Sequence, residues 1–450
     1  MRVINVFIFL SLITFEVLGQ RMDQPNFIII IADDAAWDDS GVYGNDMIQT
    51  PNINKLGEEG LVFDNAFLTT SSCSPSRCSI LTGRYPHSTG APELHVPLPE
   101  DQLLFAGELQ KVGYYTVAAG KYHIGPPRKD FDKIYGHQVS GCEYWVQALE
   151  ERPKDQPFFM WLASKDPHRS YEENIIPNPH DPKEVKVPPY LPDNDSVRKD
   201  LALYYDEIAR LDSYLGKVME ALKEQGVDEN TMVIYMTDNG RPFPRDKTRL
   251  YDSGIKTPFI VRWPNQVKSG RTAAMISSID IAPTLCELAG AALPKAFQGI
   301  SFASVLEEAD LKGRDYIVGE HNWHDYQAYE RALRTDKFLY IRNEFPFLNA
   351  SPPADAVSSI SYQEMIRLHN EAKLEEVQMD CFVLPRPEEE LYDVLSDPFQ
   401  LNNLAMDDTY AKVLAEMRSK LNTWKKEFED ELPKDYTPDG FNRWTGKRIR

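Results

Sequence analysis

The sequence predicts an α/β fold: a large, mostly parallel sheet flanked by helices, followed by a smaller C-terminal α+β subdomain. Three observations lead there. Four short apolar runs, Asn26–Ala32, Tyr114–Ala119, Phe158–Ala163 and Thr231–Thr237, are bounded by polar residues, the pattern of strands buried on both faces. Strands alternating with helical patterns argue for a parallel sheet covered by helices. Each run also ends in ionisable or amide residues, and in open α/β sheets the site lies outside the carboxyl ends of the strands.

Met1–Gly19 reads as a signal peptide. Arg2 gives a positive start, Val3–Leu18 is mostly apolar, and Val17-Leu18-Gly19 suits cleavage. The expectation is export to the periplasm or outside the cell, or to the lysosome in a eukaryote, with no membrane anchor. Asn26–Ala32 follows and ends in Asp33-Asp34. Adjacent carboxylates at the end of a buried strand repel unless a cation lies between them, and oxygen ligands suit Ca²⁺ better than the smaller Mg²⁺. A solvated loop pair is the alternative.

Thr50–Leu56 opens a short helix and Leu61–Ala66 leads into Ser71–Arg84, the stretch around which the chain is organised. Ser72 or Ser74 can cap a helix here, and Pro75 suits its first position. Cys73 then stands just before a helix N-terminus, with Arg77 one turn on, an arrangement for handling an anion. A lone cysteine would read as structural, or as half of a disulfide with Cys78.

The second strand run ends in Gly120-Lys121-Tyr122-His123 and the third in Lys165-Asp166-Pro167-His168-Arg169. Ser196–Gln225 is the clearest helix, with Leu201, Tyr205, Ile208, Leu211, Leu215, Val218 and Leu222 on one face and Gly226 beyond its end. The fourth run ends in Asp238-Asn239-Gly240. Lys247–Pro258 precedes a strand at Phe259–Arg262, and Asp280 caps a further helix. The catalytic domain is expected over 20–336 and the subdomain over 337–450, with strands at Phe338–Arg342 and Glu390–Val394, long irregular segments between them, and a helix at Tyr410–Glu427.

Composition narrows the partners. A net charge of −20 over 450 residues argues against a nucleic-acid binder and against docking on an anionic membrane. Beside Cys73, four widely spaced cysteines, Cys78, Cys142, Cys286 and Cys381, could form two bridges or none, and their spacing is neither a disulfide framework nor a zinc site.

Cys73-Ser-Pro-Ser-Arg77, followed by Leu81-Thr-Gly-Arg84, resembles the signature of the type I sulfatases. Asp33-Asp34, Thr50-Pro51-Asn52, Gly120-Lys121-x-His123, Asp238-Asn239-Gly240 and Lys247…Gly254…Pro258 fall in the same family's order along nearly the whole mature chain. The resemblance implies an alkaline-phosphatase-like sandwich and a cysteine oxidised to Cα-formylglycine by a formylglycine-generating or sulfatase-maturing enzyme. Asp166-Pro167-His168-Arg169, Asp238–Pro244 and Glu390–Ala405 are most similar to the heparan N-sulfatase branch. Lys247-Thr248 departs from it, since that branch has arginine there, so N-sulfate specificity does not follow.

The implied roles follow residue by residue. Asp33, Asp34, Asp238, Asn239 and an oxygen on modified Cys73 would hold Ca²⁺. Arg77 and Lys121 would hold the aldehyde hydrate, and Lys121, Lys247 and His168 would neutralise the sulfate. His168 would be the acid for the leaving group and His123 the base, while Asp166 and Arg169 would either shape the substrate pocket or simply brace their loop. The substrate implied is a sulfated oligosaccharide or polysaccharide, carrying sulfate esters or N-sulfate. A phosphohydrolase of the same superfamily, or a glycan-binding protein without activity, are the rival readings.

Overall fold

The computed structural model describes residues 24–449, so the expected signal peptide lies outside the described residues. The large sheet has eight strands: β1 (Asn26–Ala32), β2 (Leu61–Phe67), β3 (Tyr115–Gly120), β4 (Lys133–Tyr135), β5 (Phe158–Ala163), β6 (Thr231–Thr237), β7 (Ile260–Arg262) and β8 (Gly270–Ser277). Their order is β4-β3-β5-β1-β6-β7-β2-β8. The four runs that predicted the fold are therefore neighbours, β3-β5-β1-β6, all parallel. Their polar ends line one rim. Only β7 runs antiparallel, to β6 and β2.

Every residue of β1, β5 and β6 is buried. Their alternating side chains feed two cores, Ile28 and Ile30 on one face and Phe27, Ile29 and Ile31 on the other. Each fully buried chain of this size contributes roughly 1.5–3 kcal/mol. The first face is covered by the Asp195–Glu224 helix, which starts at Asn194, whose side chain accepts from the Ser196 and Val197 N–H groups. Gly226, at φ +66°, supplies the left-handed residue that ends it. The seven apolar positions predicted for its inner face are all buried.

A second sheet joins β9 (Ile317–His321), β10 (Glu330–Arg334), β11 (Phe338–Asn343) and β12 (Glu389–Asp393) in the antiparallel order β12-β11-β10-β9. The Ala411–Glu427 helix covers it through Met417, Leu421 and Trp424. The expected boundary at 337 falls within this sheet, between β10 and β11. Strands β9 and β10 carry Glu320, His321, Glu330, Arg331 and Arg334, all buried, so no apolar run announces them. The segment expected to be irregular contains helices Ala354–Val357 and Ile360–Asn370, and Ser361 Oγ donates to Asp200 Oδ2 on the long helix at 2.6 Å. The subdomain thus reaches back to the rim.

No helix among the described residues is long and apolar enough to cross a membrane. All five cysteines are free and buried, which removes the Cys73–Cys78 disulfide.

Candidate active site

The Cys73–Thr82 helix begins on Cys73 itself, with Ser72 at the N-cap and Pro75 at the third position, two residues later than expected. Ser72 does not cap with its side chain. Its Oγ lies 2.7 Å from His324 Nδ1, which locks the entry to the helix against the subdomain. All ten helix residues are buried, which fixes Cys73 and Arg77 on a rigid element.

Strand ends supply the rest. At the end of β1, Asp34 takes a left-handed backbone (φ +70°) and its N–H donates to Asp238 Oδ1 at 3.2 Å. A non-glycine residue held there is a common mark of a functional site. At the end of β3, Gly120 has φ +98°, and a Cβ would come within 1.9 Å of the Ala163 carbonyl oxygen. Only glycine lets β3 stay beside β5 at that point, and it puts Lys121 next to Asp33.

Three cations meet three carboxylates around Cys73. Arg77 Nε and Nη2 both reach Asp238 Oδ2, at 2.8 and 2.7 Å, and Nη2 is 3.3 Å from Asp33 Oδ1. Lys121 Nζ donates to Asp33 Oδ2 at 2.5 Å, and Lys247 Nζ to Asp34 Oδ2 at 2.7 Å. Asp33, Asp34, Asp238, Arg77 and Lys247 are at most 1% exposed. Burial alone would raise the Asp33 carboxyl; Lys121, with His168 and Arg77, outweighs burial and the repulsion of Asp34 and holds it below the usual range. Burial would lower Lys247, but Asp34, Cys73 and Asp355 hold it well above the ordinary lysine.

Cys73 Sγ points at Asp34 Oδ1, 3.6 Å away. Burial pushes its thiol well up, and the attraction of Lys121 and Lys247 does not offset this against Asp34 and Asp238. The thiol therefore stays protonated, a poor nucleophile as it stands.

The donor set fits a hard cation. Asp33, Asp34 and Cys73 offer atoms within 4.8 Å of one another. Asn239 Nδ2 donates to Asp34 Oδ1 at 2.7 Å, while Asn239 Oδ1, fully buried, has no partner. An orphaned amide oxygen among carboxylates is the kind of ligand Ca²⁺ accepts.

The two histidines differ. His123 is reached through a left-handed backbone (φ +51°), and its Nε2 lies 2.8 Å from His95 Nδ1. Burial, then Lys121 and Arg77, depress its pKa, so it is neutral. Its Nδ1 is buried and unpartnered. His168 is partly exposed; Nδ1 lies 2.5 Å from the Arg169 carbonyl oxygen and Nε2 faces Asp355 Oδ2 at 3.6 Å.

Of the two readings of Asp166 and Arg169, the internal pairing supports the brace. Both Asp166 oxygens are taken by Arg210, at 2.8 and 2.6 Å. Arg169 is held by both oxygens of Asp200, at 2.8 and 2.7 Å, and by the Pro242 carbonyl. Both side chains brace the loop after β5. Arg241 and Arg245 are likewise buried in internal contacts, with Asp38 and Asp39 and with the Phe399 and Gln400 carbonyls.

Sequence reasoning missed Asp355 and His95. Asp355 lies in the first turn of the Ala354–Val357 helix, 3.7 Å from Lys247 Nζ, and Lys247 first among its neighbours drives its carboxyl down against burial. His95 stands on a loop with φ +66°, its N–H donating to Ser74 Oγ at 2.8 Å. Neither belongs to a periodic pattern; a left-handed non-glycine residue is visible only in the backbone.

Comparison with known proteins agrees with this geometry. A family model described as Sulfatase matches residues 25–145 and 141–291, and one described as N-sulphoglucosamine sulphohydrolase, C-terminal, matches 243–345. The chain is 31% identical to an ulvan-active sulfatase of Formosa agariphila, over 91% of this chain and 76% of that protein. It is 30% identical to the Homo sapiens N-sulphoglucosamine sulphohydrolase, over 94% of each. A solved enzyme in complex with its substrate D-glucosamine-2-N,6-O-disulfate superposes with a TM-score of 0.73 at 21% identity, covering 91% of this chain and 99% of that one, which shows the shared fold.

Proposed function

This chain belongs to the sulfatase family and is a sulfatase, and from that premise we propose that it removes sulfate from a glycan or its oligosaccharides through an oxidised Cys73. The observation that carries the reading is Cys73 itself: a buried, protonated thiol at the first position of a helix, among Arg77, Lys121 and Lys247. Oxidation by a formylglycine-generating or sulfatase-maturing enzyme would supply the aldehyde whose hydrate is the family's nucleophile. Asp33, Asp34, Asp238 and Asn239 would hold Ca²⁺, which when bound supplies positive charge beside the sulfate oxygens.

The chain's own residues do the rest. Lys121 and Lys247 place two ammonium groups where the sulfate oxygens gather charge, in a site drier than the surface. Arg77 fixes Asp33 and Asp238 and cannot lose its proton. His123, neutral and with a free buried Nδ1, is built to accept a proton. His168 is placed to give one to the leaving oxygen. If Nδ1–H bonds the Arg169 carbonyl, Nε2 is the working nitrogen. Lys247, in place of arginine, leaves the choice between sulfate ester and N-sulfate to the sugar contacts. Export from the cytoplasm fits the reading from Met1–Gly19.

A phosphohydrolase with two metals fits less well. Asp34, His168 and Asp355 do present three ligand atoms together. The Lys247 ammonium already pairs with both carboxylates there.

The test is a paired assay of an aryl sulfate with the matching aryl phosphate, then a panel of defined sulfated oligosaccharides, on protein whose Leu56–Arg77 tryptic peptide has been weighed. Sulfate release that scales with the fraction of peptide in which one oxygen replaces a sulfur and two hydrogens is expected. Equal activity from protein carrying only the thiol, or preference for the phosphate, would overturn the proposal.

A further inference from the structure

Among the described residues the ring of His123 makes one hydrogen bond, and it is to another histidine. Its Nε2 lies 2.8 Å from His95 Nδ1, with the ring centroids 5.0 Å apart. Its other nitrogen, Nδ1, is buried and has no partner. A neutral imidazole carries one ring proton, so this contact decides which nitrogen is bare. With the proton on Nε2, that N–H donates to His95 Nδ1, and Nδ1 of His123 keeps its lone pair. With the proton on Nδ1, a buried N–H is left without an acceptor, which costs stability. A base that works at Nδ1 needs the first arrangement.

His95 is held in place as the acceptor. Its own N–H donates to Ser74 Oγ, on the residue after Cys73, at 2.8 Å, and the Leu94 N–H donates to the Trp323 carbonyl at 3.1 Å. The backbone of His95 takes φ +66°, a left-handed conformation that persists in a non-glycine residue where the surroundings over-determine it. The other groups near the pair are cationic or basic. Lys121, Arg77 and Lys247 bear on His123; Lys121, Lys247 and His168 bear on His95, with His324 nearby. Ammonium and guanidinium groups cannot accept a hydrogen bond. Burial first, then Lys121, lower the pKa of His95, so its ring is neutral and Nδ1 can accept. A carboxylate in its place would be drawn to Lys121 and Lys247; a neutral imidazole is not.

We propose that His95 is the positioning residue for His123: it accepts the Nε2–H, fixes the ring, and leaves Nδ1 bare for a proton of the oxidised Cys73. The inference rests on the reading of Cys73 as the oxidised nucleophile and adds a residue to that site. His95 acts through His123, and no bond to His95 forms or breaks in the reaction.

The test measures kcat and KM on an aryl sulfate for wild type, His95→Asn and His95→Gly. Asparagine keeps an acceptor where Nδ1 stands and tolerates the left-handed backbone; glycine tolerates the backbone and offers no acceptor. His95→Ala covers the event that the glycine variant does not fold. In His95→Gly, kcat is expected to fall about tenfold or more, part of what a well-placed base contributes, with KM unchanged. His95→Asn is expected to restore most of the loss, which a side chain that only fills space would not do. A kcat equal to wild type in His95→Gly, a loss confined to KM, or a loss that asparagine does not restore overturns the proposal. Nitrogen NMR of protein with isotope-labelled histidine, assigned with His123→Ala, reads the tautomer directly. Wild-type His123 is expected to carry its proton on Nε2, with a signal that moves in His95→Gly; a proton on Nδ1 overturns the proposal. If wild type releases no sulfate, the reading of Cys73 fails, and the NMR spectra alone decide whether His95 holds His123.

Discussion

Lys247 Nζ donates to Asp34 Oδ2 at 2.7 Å, and the same ammonium stands 3.7 Å from Asp355 Oδ2. One side chain thereby ties the end of β1 to the Ala354–Val357 helix, which belongs to the C-terminal subdomain. It also occupies the corner where Asp34, His168 and Asp355 would otherwise gather around a cation.

Removing that ammonium should damage both activity and stability. Lys247→Met keeps the aliphatic stem and leaves two carboxylates facing each other. Loss of one partner of a buried pair costs about 3–5 kcal/mol. Loss of a charge aimed at the reacting group costs on the order of 10²–10³ in kcat. Thermal melts and steady-state kinetics of the variant check this; a variant as stable and active as the parent would refute the assignment.

Metal removal should separate folding from activity. Asp33, Asp34 and Asp238 already face Arg77, Lys121 and Lys247, so charge is balanced without an ion. Exhaustive chelation is therefore expected to abolish sulfate release while leaving the protein folded with a lower Tm. Ca²⁺ at a hundred times its Kd should return about 2.7 kcal/mol. Asn239→Ala, which deletes the orphaned Oδ1, should weaken that recovery. Calorimetry at fixed protein and varied Ca²⁺ reads it; a Tm indifferent to Ca²⁺ would count against the site.

The rim was legible in the sequence because parallel strands buried on both faces advertise themselves as apolar runs, and their polar ends fall together by topology. Asp33, Lys121, His168 and Asp238 follow from that logic. Asp355 and His95 did not, since each is delivered by a loop or a four-residue helix whose position depends on packing of the subdomain. Asp166 shows where the sequence left two readings open. The resemblance allowed it a place in the substrate pocket or a bracing role, and Arg210, in the middle of the long helix, pairs with both its oxygens. A sequence shows which residues reach a rim; it does not show which of them a neighbouring helix has already paired.

That brace carries a pH dependence. Glu207 lies beside Asp166, and Arg210 contacts both at 2.6 and 2.5 Å. Burial, then repulsion from Asp166, pushes Glu207 up to about 9. An acid whose folded pKa is raised contributes stability that is whole below its unfolded pKa, about 4.3, and that is lost as pH rises toward 9. Glu207→Gln keeps the shape and removes the titration. The variant should match wild type or fall slightly below it near pH 5 and exceed it at pH 8–9. Tm against pH for the two proteins decides, and parallel curves would mean the pair does not titrate in this range.

The role of His168 makes the sharpest kinetic prediction. Its Nδ1 faces the Arg169 carbonyl at 2.5 Å, which leaves Nε2, 3.6 Å from Asp355, to hold the proton that a leaving oxygen needs. General acids matter in proportion to how poor the leaving group is, and are worth typically 10²–10⁴-fold where the group is basic. A sugar oxygen is far more basic than a nitrophenolate. His168→Ala should therefore cost about 10²–10⁴ in kcat on a sulfated disaccharide and much less on a nitrophenyl sulfate. His123→Ala, by contrast, should depress both substrates alike, because a base acting on the enzyme's own nucleophile is blind to the leaving group. Measuring kcat for both variants on a series of aryl sulfates of rising phenol pKa gives the slope directly. A His168→Ala slope equal to wild type would move the acid to another residue, and a steeper slope for His123→Ala would exchange the two roles.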